Sequence, residues 1–237
     1  MAALVFNRPM LITQSLKNLF YPRLCLNCGE WLIAEEEGIC ITCNVSLPLS
    51  KYKLDNKNPV AAVLWGRLPL SFASSLLLFN NQNLAHEILH AIKYKGNKDL
   101  ARLMGTLSAE QHQKSLEAFD INEIVPIPLH PRKKRIRGFN QAEEFAIGIA
   151  EKLNLKCNTK AISRKLHTKT QTHKTREERW ENVSDIFKSN NQSLNGKNVL
   201  LVDDVITTGA TLESCAQTIL NQNPKSLGIL TIAFAKG

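Results

Sequence analysis

Long apolar runs are missing from this sequence. Its most apolar window, residues 60–79, carries Arg67 and Pro69 near the middle, and an arginine at the centre of a bilayer costs about 2.5–3.5 kcal/mol on insertion scales. We therefore expect no membrane insertion and predict a buried β-hairpin for this window. The N-terminal stretch lacks the cleavage pattern of a secretory signal and contains Arg8 and Lys17, so we expect a cytoplasmic protein.

Aromatic residues and acidic charge are also scarce. Aromatic residues make up 6% of the 237 and are scattered, so the sequence shows no ladder of aromatic and basic residues that would stack nucleic acid bases. Thirty Lys and Arg against 21 Asp and Glu leave a net charge of +9, which favours anionic partners such as nucleic acid, phosphates or a lipid surface. The other fractions, 43% hydrophobic and 22% charged, are typical of a folded globular protein.

Cysteine is too sparse for a disulfide scaffold, since the sequence has six. Four of them form two C-x2-C pairs separated by eleven residues: Cys25, Cys28, Cys40 and Cys43. This spacing lets four thiolates converge tetrahedrally on Zn²⁺ at about 2.3 Å, and a closed four-thiolate site has a structural role. Two disulfides or a coincidental cluster are the alternatives.

The composition changes near residue 55. Apolar residues at helical spacing before Pro22 predict a short N-terminal helix: Leu11, Ile12, Leu16, Leu19 and Phe20. Residues 46–59 are rich in Lys, Asn, Ser and Pro, which is the composition of a linker. We therefore predict that residues 1–55 form an N-terminal helix and a zinc-ribbon domain, and that residues 56–237 form a second domain.

Apolar runs and amphipathic stretches alternate along the second domain. The predicted strands are residues 72–79, 123–128, 199–202 and 227–234, and the predicted helices are residues 84–94, 98–111, 138–153 and 209–220. This order predicts an α/β fold with a mostly parallel sheet flanked by helices. Ligands of such sheets bind at the carboxyl ends of the strands, so the residues just after Val125 and Val202 are the candidates for a site.

The most informative stretch is residues 199–211, VLLVDDVITTGAT. A buried strand ends in two adjacent carboxylates, and a loop rich in threonine then opens a helix, whose N-terminal N–H groups bind phosphate. Two carboxylates beside a phosphate are repulsive unless they accept hydrogen bonds from sugar hydroxyls or contact a divalent cation. A ribose phosphate with Mg²⁺ satisfies every polar group: Asp203, Asp204, Thr207, Thr208 and Thr211.

Two other interpretations of this stretch remain. A nucleoside triphosphatase also ends an apolar strand in acidic residues, but it requires the motif G-x-x-x-x-G-K-[ST], which the sequence lacks. A purely structural interpretation assigns Asp204 and Thr207 to capping the helix, since both are common N-cap residues.

The stretch resembles the loop that binds 5-phosphoribosyl-1-pyrophosphate (PRPP) in type I phosphoribosyltransferases. The resemblance implies that fold, with Mg²⁺ bound together with PRPP. It also implies that Asp203 and Asp204 are the catalytic residues and hold the ribose 2′ and 3′ hydroxyls, while residues 207–211 hold the 5-phosphate. The implied binding residues of the loop are Asp203, Asp204, Thr207, Thr208, Gly209, Ala210 and Thr211.

Further motifs make nearly the whole chain similar to the ComF/GntX family of bacterial competence proteins. They are the four cysteines, IKYKG at residues 92–96, VPIPLHPR at 125–132, RGFNQ at 137–141, and the set Arg164, Thr168, Gln171, Arg179 and Asn182. The sequence departs from the family at Lys134 and Lys174, where an aliphatic residue is usual. These two lysines make the predicted pyrophosphate side more basic.

Basic residues follow the second predicted strand as a predicted loop: Arg132, Lys133, Lys134, Arg135 and Arg137. Of these, we assign Arg132 and Arg137 to the pyrophosphate with Mg²⁺, whose charge they would neutralise. Binding of a nucleic acid backbone and an ordinary solvated loop are the alternatives. Residues 168–182 are predicted to form a mobile hood over the site, with an ordinary surface loop as the alternative.

The family resemblance implies a PRPP-binding protein of natural competence, DNA uptake and transformation, acting in the cytoplasm on incoming single-stranded DNA. It also implies partners in the competence machinery, such as a helicase. The alternative is an active Mg²⁺-dependent phosphoribosyltransferase of nucleotide or amine salvage with no DNA role. The sequence leaves open whether pentosyl transfer occurs and to which acceptor.

Overall fold

The computed structural model describes residues 23–164, 186–190 and 194–235. The predicted N-terminal helix and the predicted hood, including Lys174, lie outside these residues. The chain divides into two compact units, Met1–Ser46 and Leu47–Gly237. We call the first the cysteine unit. Within the described ranges, no helix is long and apolar enough to cross a membrane.

The second unit contains both helices and strands, and the described part of the cysteine unit contains one short helix. The helices are α1 (Ile41–Val45), α2 (Pro59–Ala62), α3 (Leu84–Tyr94), α4 (Lys98–Ala118), α5 (Pro131–Arg137), α6 (Gln141–Leu153) and α7 (Ala210–Leu220). The strands are β1 (Phe72–Phe79), β2 (Glu123–Pro126), β3 (Lys156–Cys157), β4 (Ile162–Arg164), β5 (Phe187–Ser189), β6 (Asn198–Ile206) and β7 (Ser226–Ala235).

Five strands form one sheet in the order β1-β7-β6-β2-β3. Each neighbouring pair in it is parallel, which confirms the predicted α/β fold with a mostly parallel sheet. Strands β6 and β7 are buried over most of their length, because a sheet covered on both faces has no solvent side. Strands β4 and β5 form a separate antiparallel pair.

Helices α4 and α6 pack closely because each carries a glycine at the contact. A Cβ atom added to Gly105 would lie 2.2 Å from the carbonyl oxygen of Phe145, and one added to Gly148 would lie 2.0 Å from that of Arg102. The backbones of the two helices therefore meet without intervening side chains. This packing fixes the start of α6, which lies beside the carboxyl end of β2.

The hairpin predicted for residues 60–79 is wrong. This window contains part of α2, a turn and the single strand β1, which pairs in parallel with β7. Pro59 begins α2, and the side chain of Asn58 caps it by accepting from the N–H groups of Val60 and Ala61 at 2.8 and 3.0 Å. The window is apolar because α2 and β1 both contribute to the core, where Val60 and Leu64 are fully buried.

The predicted linker packs along β1. The N–H of Ser50 donates to the carbonyl of Leu76 at 2.7 Å, and the N–H of Leu78 donates to that of Pro48 at 2.8 Å. These residues belong to the second compact unit, which begins at Leu47. The assignment of residues 1–55 and 56–237 to two functional domains stays a prediction.

The predicted basic loop is also wrong, because residues 131–137 form helix α5. The ring of His130 caps this helix by accepting from the N–H of Arg132 at 3.2 Å. Pro131 occupies the first turn, and Gly138 ends the helix in the left-handed region with φ of 81°. Helix α6 consequently begins at Gln141, three residues later than predicted, with Asn140 as its N-cap.

His112 is buried on α4, and burial lowers its pKa from 6.5 to about 4. The unfolded chain takes up a proton near pH 6.5 that the folded chain resists down to about pH 4. Stability is therefore lost as the pH falls through that window, by up to about 3 kcal/mol. Urea unfolding at pH 7 and pH 4.5 should show a smaller acid loss for His112→Gln than for the parent. Equal losses would show that His112 does not carry this dependence.

Candidate functional site

Two carboxylates and four cations meet at the carboxyl edge of the sheet. Val202 on β6 lies opposite Pro126 on β2, so the residues after both positions share one edge. A cleft of about 410 Å³ opens there. Its charged lining residues are Lys93, Lys133, Arg137, Arg164, Asp203 and Asp204. This arrangement suits a ligand that is both strongly anionic and rich in hydroxyl groups.

Asp203 is held in an unfavourable electrostatic environment. Burial and the adjacent charge of Asp204 raise the pKa of Asp203 well above its usual range, although the N–H of Asp204 donates to its Oδ1 at 2.8 Å. The ionised form of this carboxyl is thus under-stabilised without a ligand. Hydroxyl donors or a cation at this point would stabilise it.

Lys93, on α3, reaches the second carboxylate. Its Nζ lies 3.1 Å from Oδ2 of Asp204, and both side chains are largely buried. The sequence placed Lys93 in the IKYKG motif but did not assign it to the site. Only the fold brings it to Asp204, because no local pattern links residues this far apart in the chain.

Arg67 holds the loop of residues 207–211 in place through hydrogen bonds and an ion pair. The guanidinium of Arg67 donates to the carbonyls of Thr208, at 3.0 Å, and Val63, and it pairs with Glu213 on α7 at 2.7 Å. These contacts tie the loop to α7 and to the turn after α2. Contacts within the protein therefore hold the loop in place.

Gly209 is required at this position by its backbone and by its neighbours. Its φ is 77°, and a Cβ atom there would lie 2.7 Å from Cδ2 of Leu64. It occupies the N-cap position of α7 and makes no side-chain cap hydrogen bond. The structure therefore does not support the interpretation in which Asp204 and Thr207 serve only as caps.

A smaller pocket of about 40 Å³ lies at the N-terminus of α7. The predicted phosphate-binding residues that line it are Thr207, Thr208, Gly209, Ala210 and Thr211, and Asp203 lines it as well. Asp203, Thr207 and Thr211 also line the main cleft. The small pocket and the main cleft thus share wall residues. One ligand that carries a ribose phosphate and a second anionic group could therefore occupy both.

Helix α5 contributes two cations to the cleft wall, Lys133 and Arg137. Arg137 donates to Oε1 of Gln141 at 2.9 Å, which orients its guanidinium. Arg132 is exposed and does not line the cleft, and Lys134 pairs with Glu143 at 3.3 Å. The predicted roles of Arg132 and Arg137 toward pyrophosphate stay predictions.

The four cysteines of the cysteine unit lie together, with all their Sγ atoms within 4.8 Å of one another. The Sγ atoms of Cys28 and Cys40 are 3.7 Å apart, and tetrahedral coordination with bonds of about 2.3 Å places two sulfurs about 3.8 Å apart. All four are free cysteines, so the structure does not support the alternative of two disulfides. The cluster can therefore bind a metal ion such as zinc.

Backbone turns and hydrogen bonds position the sulfur atoms of the four cysteines. The N–H of Cys25 donates to the carbonyl of Glu30 at 2.7 Å, and Gly29 supplies a φ of 81°. The N–H of Cys40 donates to Sγ of Cys25 at 3.4 Å. Burial, with the neighbouring sulfurs, raises the pKa of Cys43 to about 12, so a bound cation is what would allow all four thiols to ionise together.

Comparisons with known proteins give a consistent set of relatives. Residues 140–237 match the family model described as the phosphoribosyl transferase domain. The DNA utilization protein YhgH of Escherichia coli K12 is 25% identical over 145 residues, which cover 60% of this chain and 63% of that protein. The chain thus spans less than two thirds of that relative.

Two competence proteins are similar as well. Competence protein ComFC of Bacillus subtilis 168 is 30% identical over 156 residues, covering 62% of this chain and 61% of that protein. Competence protein F of Haemophilus influenzae is 28% identical over 170 residues, covering 70% of this chain and 69% of that protein.

Proposed function

We propose that this chain, a homologue of competence and DNA utilization proteins with a phosphoribosyltransferase domain, binds PRPP with Mg²⁺ and handles single-stranded DNA during natural transformation. The observation that carries the proposal is the cleft in which Asp203 and Asp204 meet the threonine loop at the carboxyl edge of the sheet. The names of the homologues favour the DNA role over nucleotide or amine salvage. We further propose a cytoplasmic location and partners in the competence machinery, such as a helicase.

Different residues of the cleft bind different parts of PRPP. Asp203 and Asp204 accept hydrogen bonds from the ribose 2′ and 3′ hydroxyls, which offsets the cost of their proximity. Residues 207–211 bind the 5-phosphate through backbone N–H groups at the start of α7 and through hydroxyls. Lys133 and Arg137 face the pyrophosphate, whose charge they match.

The donor set at this edge fits Mg²⁺ bound together with PRPP. Carboxylate and phosphate oxygens are the hard ligands that Mg²⁺ prefers, and it is commonly held by one or two carboxylates plus substrate phosphates. When bound, the ion supplies positive charge that stabilises pyrophosphate as a leaving group. The protein contributes the orientation of the ribose and the cations of α5 around the pyrophosphate.

Zn²⁺ is the ion we assign to the cysteine unit. Four thiolates suit a structural zinc site, and such a closed set leaves no position for a reacting water. The unit therefore contributes a folded surface rather than a reaction.

Pyrophosphate release separates a transferase from a binding protein. PRPP and Mg²⁺ are incubated with the protein and a panel of nucleobases and amines, and pyrophosphate is measured. Release that depends on one acceptor would establish pentosyl transfer, and PRPP binding without release would establish a ligand-sensing role. A protein that neither binds nor cleaves PRPP would contradict the proposed function.

Single-stranded DNA should bind without sequence preference and with a steep dependence on salt. Phosphate contacts to single strands give a slope of about −0.7 per neutralised charge in a plot of log K against log salt. The exposed cations of α5 supply these contacts. Replacing Lys133, Lys134 and Arg135 with Gln should weaken binding equally across sequences and flatten the slope by about two units.

A matched control for this variant is the replacement of Lys51, Lys53 and Lys57 with Gln, which removes the same charge from exposed positions far from α5 in sequence. It should leave the slope nearly unchanged. An unchanged slope in the α5 variant would exclude α5 from the DNA site.

A further inference from the structure

Three side-chain rings on one face of α3 line up with a fourth ring, that of Phe79 at the end of β1. The ring centroids of Phe79 and His86 are 6.0 Å apart, those of His86 and His90 are 6.2 Å apart, and those of His90 and Tyr94 are 5.0 Å apart. We call these four residues the ring column. His86, His90 and Tyr94 follow each other at intervals of four residues, so they share a helix face and span about 12 Å of its axis.

The three rings of the column that lie on α3 face solvent, and Phe79 is half-buried. His86 and His90 are exposed, and Tyr94 is 71% exposed. The opposite face of α3 supplies the core, where Ile88 and Ile92 are fully buried. Ring pairs at this spacing stabilise a helix only weakly, so the stability of α3 alone gives little reason for three exposed rings.

The ring column ends near the cleft and next to helix α5. The guanidinium carbon of Arg137 lies 5.9 Å from the centroid of the Tyr94 ring, and Gln141 orients that guanidinium. Lys93, the neighbour of Tyr94, pairs with Asp204 inside the cleft. The rings and the exposed cations of α5 therefore meet at one place on the surface.

The charge around the ring column is predominantly positive. Lys95 is exposed just beyond Tyr94, and α5 presents several exposed cations beside Arg137. The acidic groups of the same elements are Glu87 on α3 and Glu143, Glu144 and Glu151 on α6. Glu143 pairs with Lys134, and Glu144 and Glu151 pair with Arg102. A polyanion with flat apolar groups is the ligand that matches both features.

We propose that the ring column is a stacking surface for single-stranded nucleic acid. Bases pack on the rings of His86, His90 and Tyr94, while the phosphates lie along α5. The proposal rests on the proposed DNA role and adds to it the surface that selects single strands. In a duplex the base faces are already stacked on each other, so only unpaired bases can use the rings.

The test replaces His86, His90 and Tyr94 together with Ala and measures binding of a fluorescent oligothymidylate of about 20 nucleotides. Stacking contributes about 1–3 kcal/mol per base, which is about 5- to 150-fold in affinity for each base. We expect a loss of at least about tenfold at every salt concentration. The salt slope should stay close to the parent's, because no lysine or arginine has been removed.

A variant with Phe at the same three positions keeps the rings and should retain most of the affinity. A second control is Trp31→Ala, because Trp31 is an exposed ring of the cysteine unit. The column variant should still show the parent's increase in melting temperature with PRPP and Mg²⁺. That readout separates failure of this proposal from failure of the PRPP site.

Each outcome of these binding measurements either supports or overturns the stacking proposal. Equal losses for oligothymidylate and oligouridylate would support stacking on bases irrespective of the sugar. Unchanged affinity in the Ala variant, loss in Trp31→Ala alone, or duplex binding as tight as single-strand binding in the parent would each overturn the proposal. Absence of any nucleic acid binding at low salt would overturn it together with the DNA role, while leaving the PRPP response to be judged separately.

Discussion

Removal of metal should unfold the cysteine unit and leave the second compact unit folded. Among the described residues of that unit, the buried apolar side chains are Ile39 and three of the cysteines, so residues 23–46 by themselves have almost no hydrophobic core. A structural zinc site contributes about 10–16 kcal/mol of apparent free energy at neutral pH, which is then the free energy of folding. Hydrogen exchange should show loss of protection in residues 23–46 after chelation and its recovery when zinc is added back.

Protein purified under reducing conditions without added metal should carry one zinc per chain. Cys40→Ser should abolish this, whereas Cys157→Ser, outside the cluster, should not. If the parent carried no metal and all four cysteines titrated as free thiols, the zinc assignment would be wrong.

Replacement of Asp203 with Asn should abolish the response to PRPP without weakening the unliganded fold. A ligand that binds only the native state stabilises it by about 2.7 kcal/mol at a hundredfold excess over Kd, and the parent should show this as a higher melting temperature. The variant loses an acceptor of the ribose hydroxyls. The double variant, with Asp203→Asn and Asp204→Asn, should likewise show no response to PRPP.

The pKa of Asp203 predicts the direction in which Asp203→Asn changes the stability of the unliganded protein. Burial and Asp204 raise the pKa of Asp203 in the folded state, so the folded chain binds a proton more tightly than the unfolded chain. The carboxyl therefore lowers stability as the pH rises above its ordinary pKa, and at neutral pH the Asn variant should be at least as stable as the parent.

A buried carboxylate at the other edge of the sheet provides the control. Glu123 begins β2 and is paired with Lys197 at 2.5 Å and with Asn158 at 2.8 Å. Burial raises its pKa, but these partners outweigh burial and lower it overall. Glu123→Gln should therefore destabilise the protein and leave the PRPP response intact. A PRPP response in Asp203→Asn equal to the parent's would remove Asp203 from the site.

Local sequence patterns predicted the elements that build the threonine loop. Residues 209–220 were predicted as a helix and 227–234 as a strand, and the structure has Ala210–Leu220 and Ser226–Ala235. These elements are buried on most of their surface or on one regular face, so apolar periodicity reveals them. Helix α5 was missed because it buries no residue, and its only signals were Pro131 and Gly138 at its ends.

Contacts between distant segments were beyond the reach of a single sequence. Arg67 reaches Thr208, and Lys93 reaches Asp204, only because α2, α3 and β6 come together in the fold. The ring column escaped notice for another reason. Two of its four rings belong to histidine, which a count of aromatic residues leaves out, and the helical spacing matters only when the opposite face is seen to be buried.

Calorimetric titration of the unmodified protein with PRPP in the presence of Mg²⁺ tests PRPP binding at the sheet edge most directly. Saturable binding at one PRPP per chain is expected, tighter than that of ribose 5-phosphate or pyrophosphate alone, because the carboxylates, the threonine loop and the cations of α5 act on one molecule. The binding heat should vanish in Asp203→Asn. No saturable binding to the parent, or equal binding to parent and variant, would contradict the assignment of this cleft to PRPP.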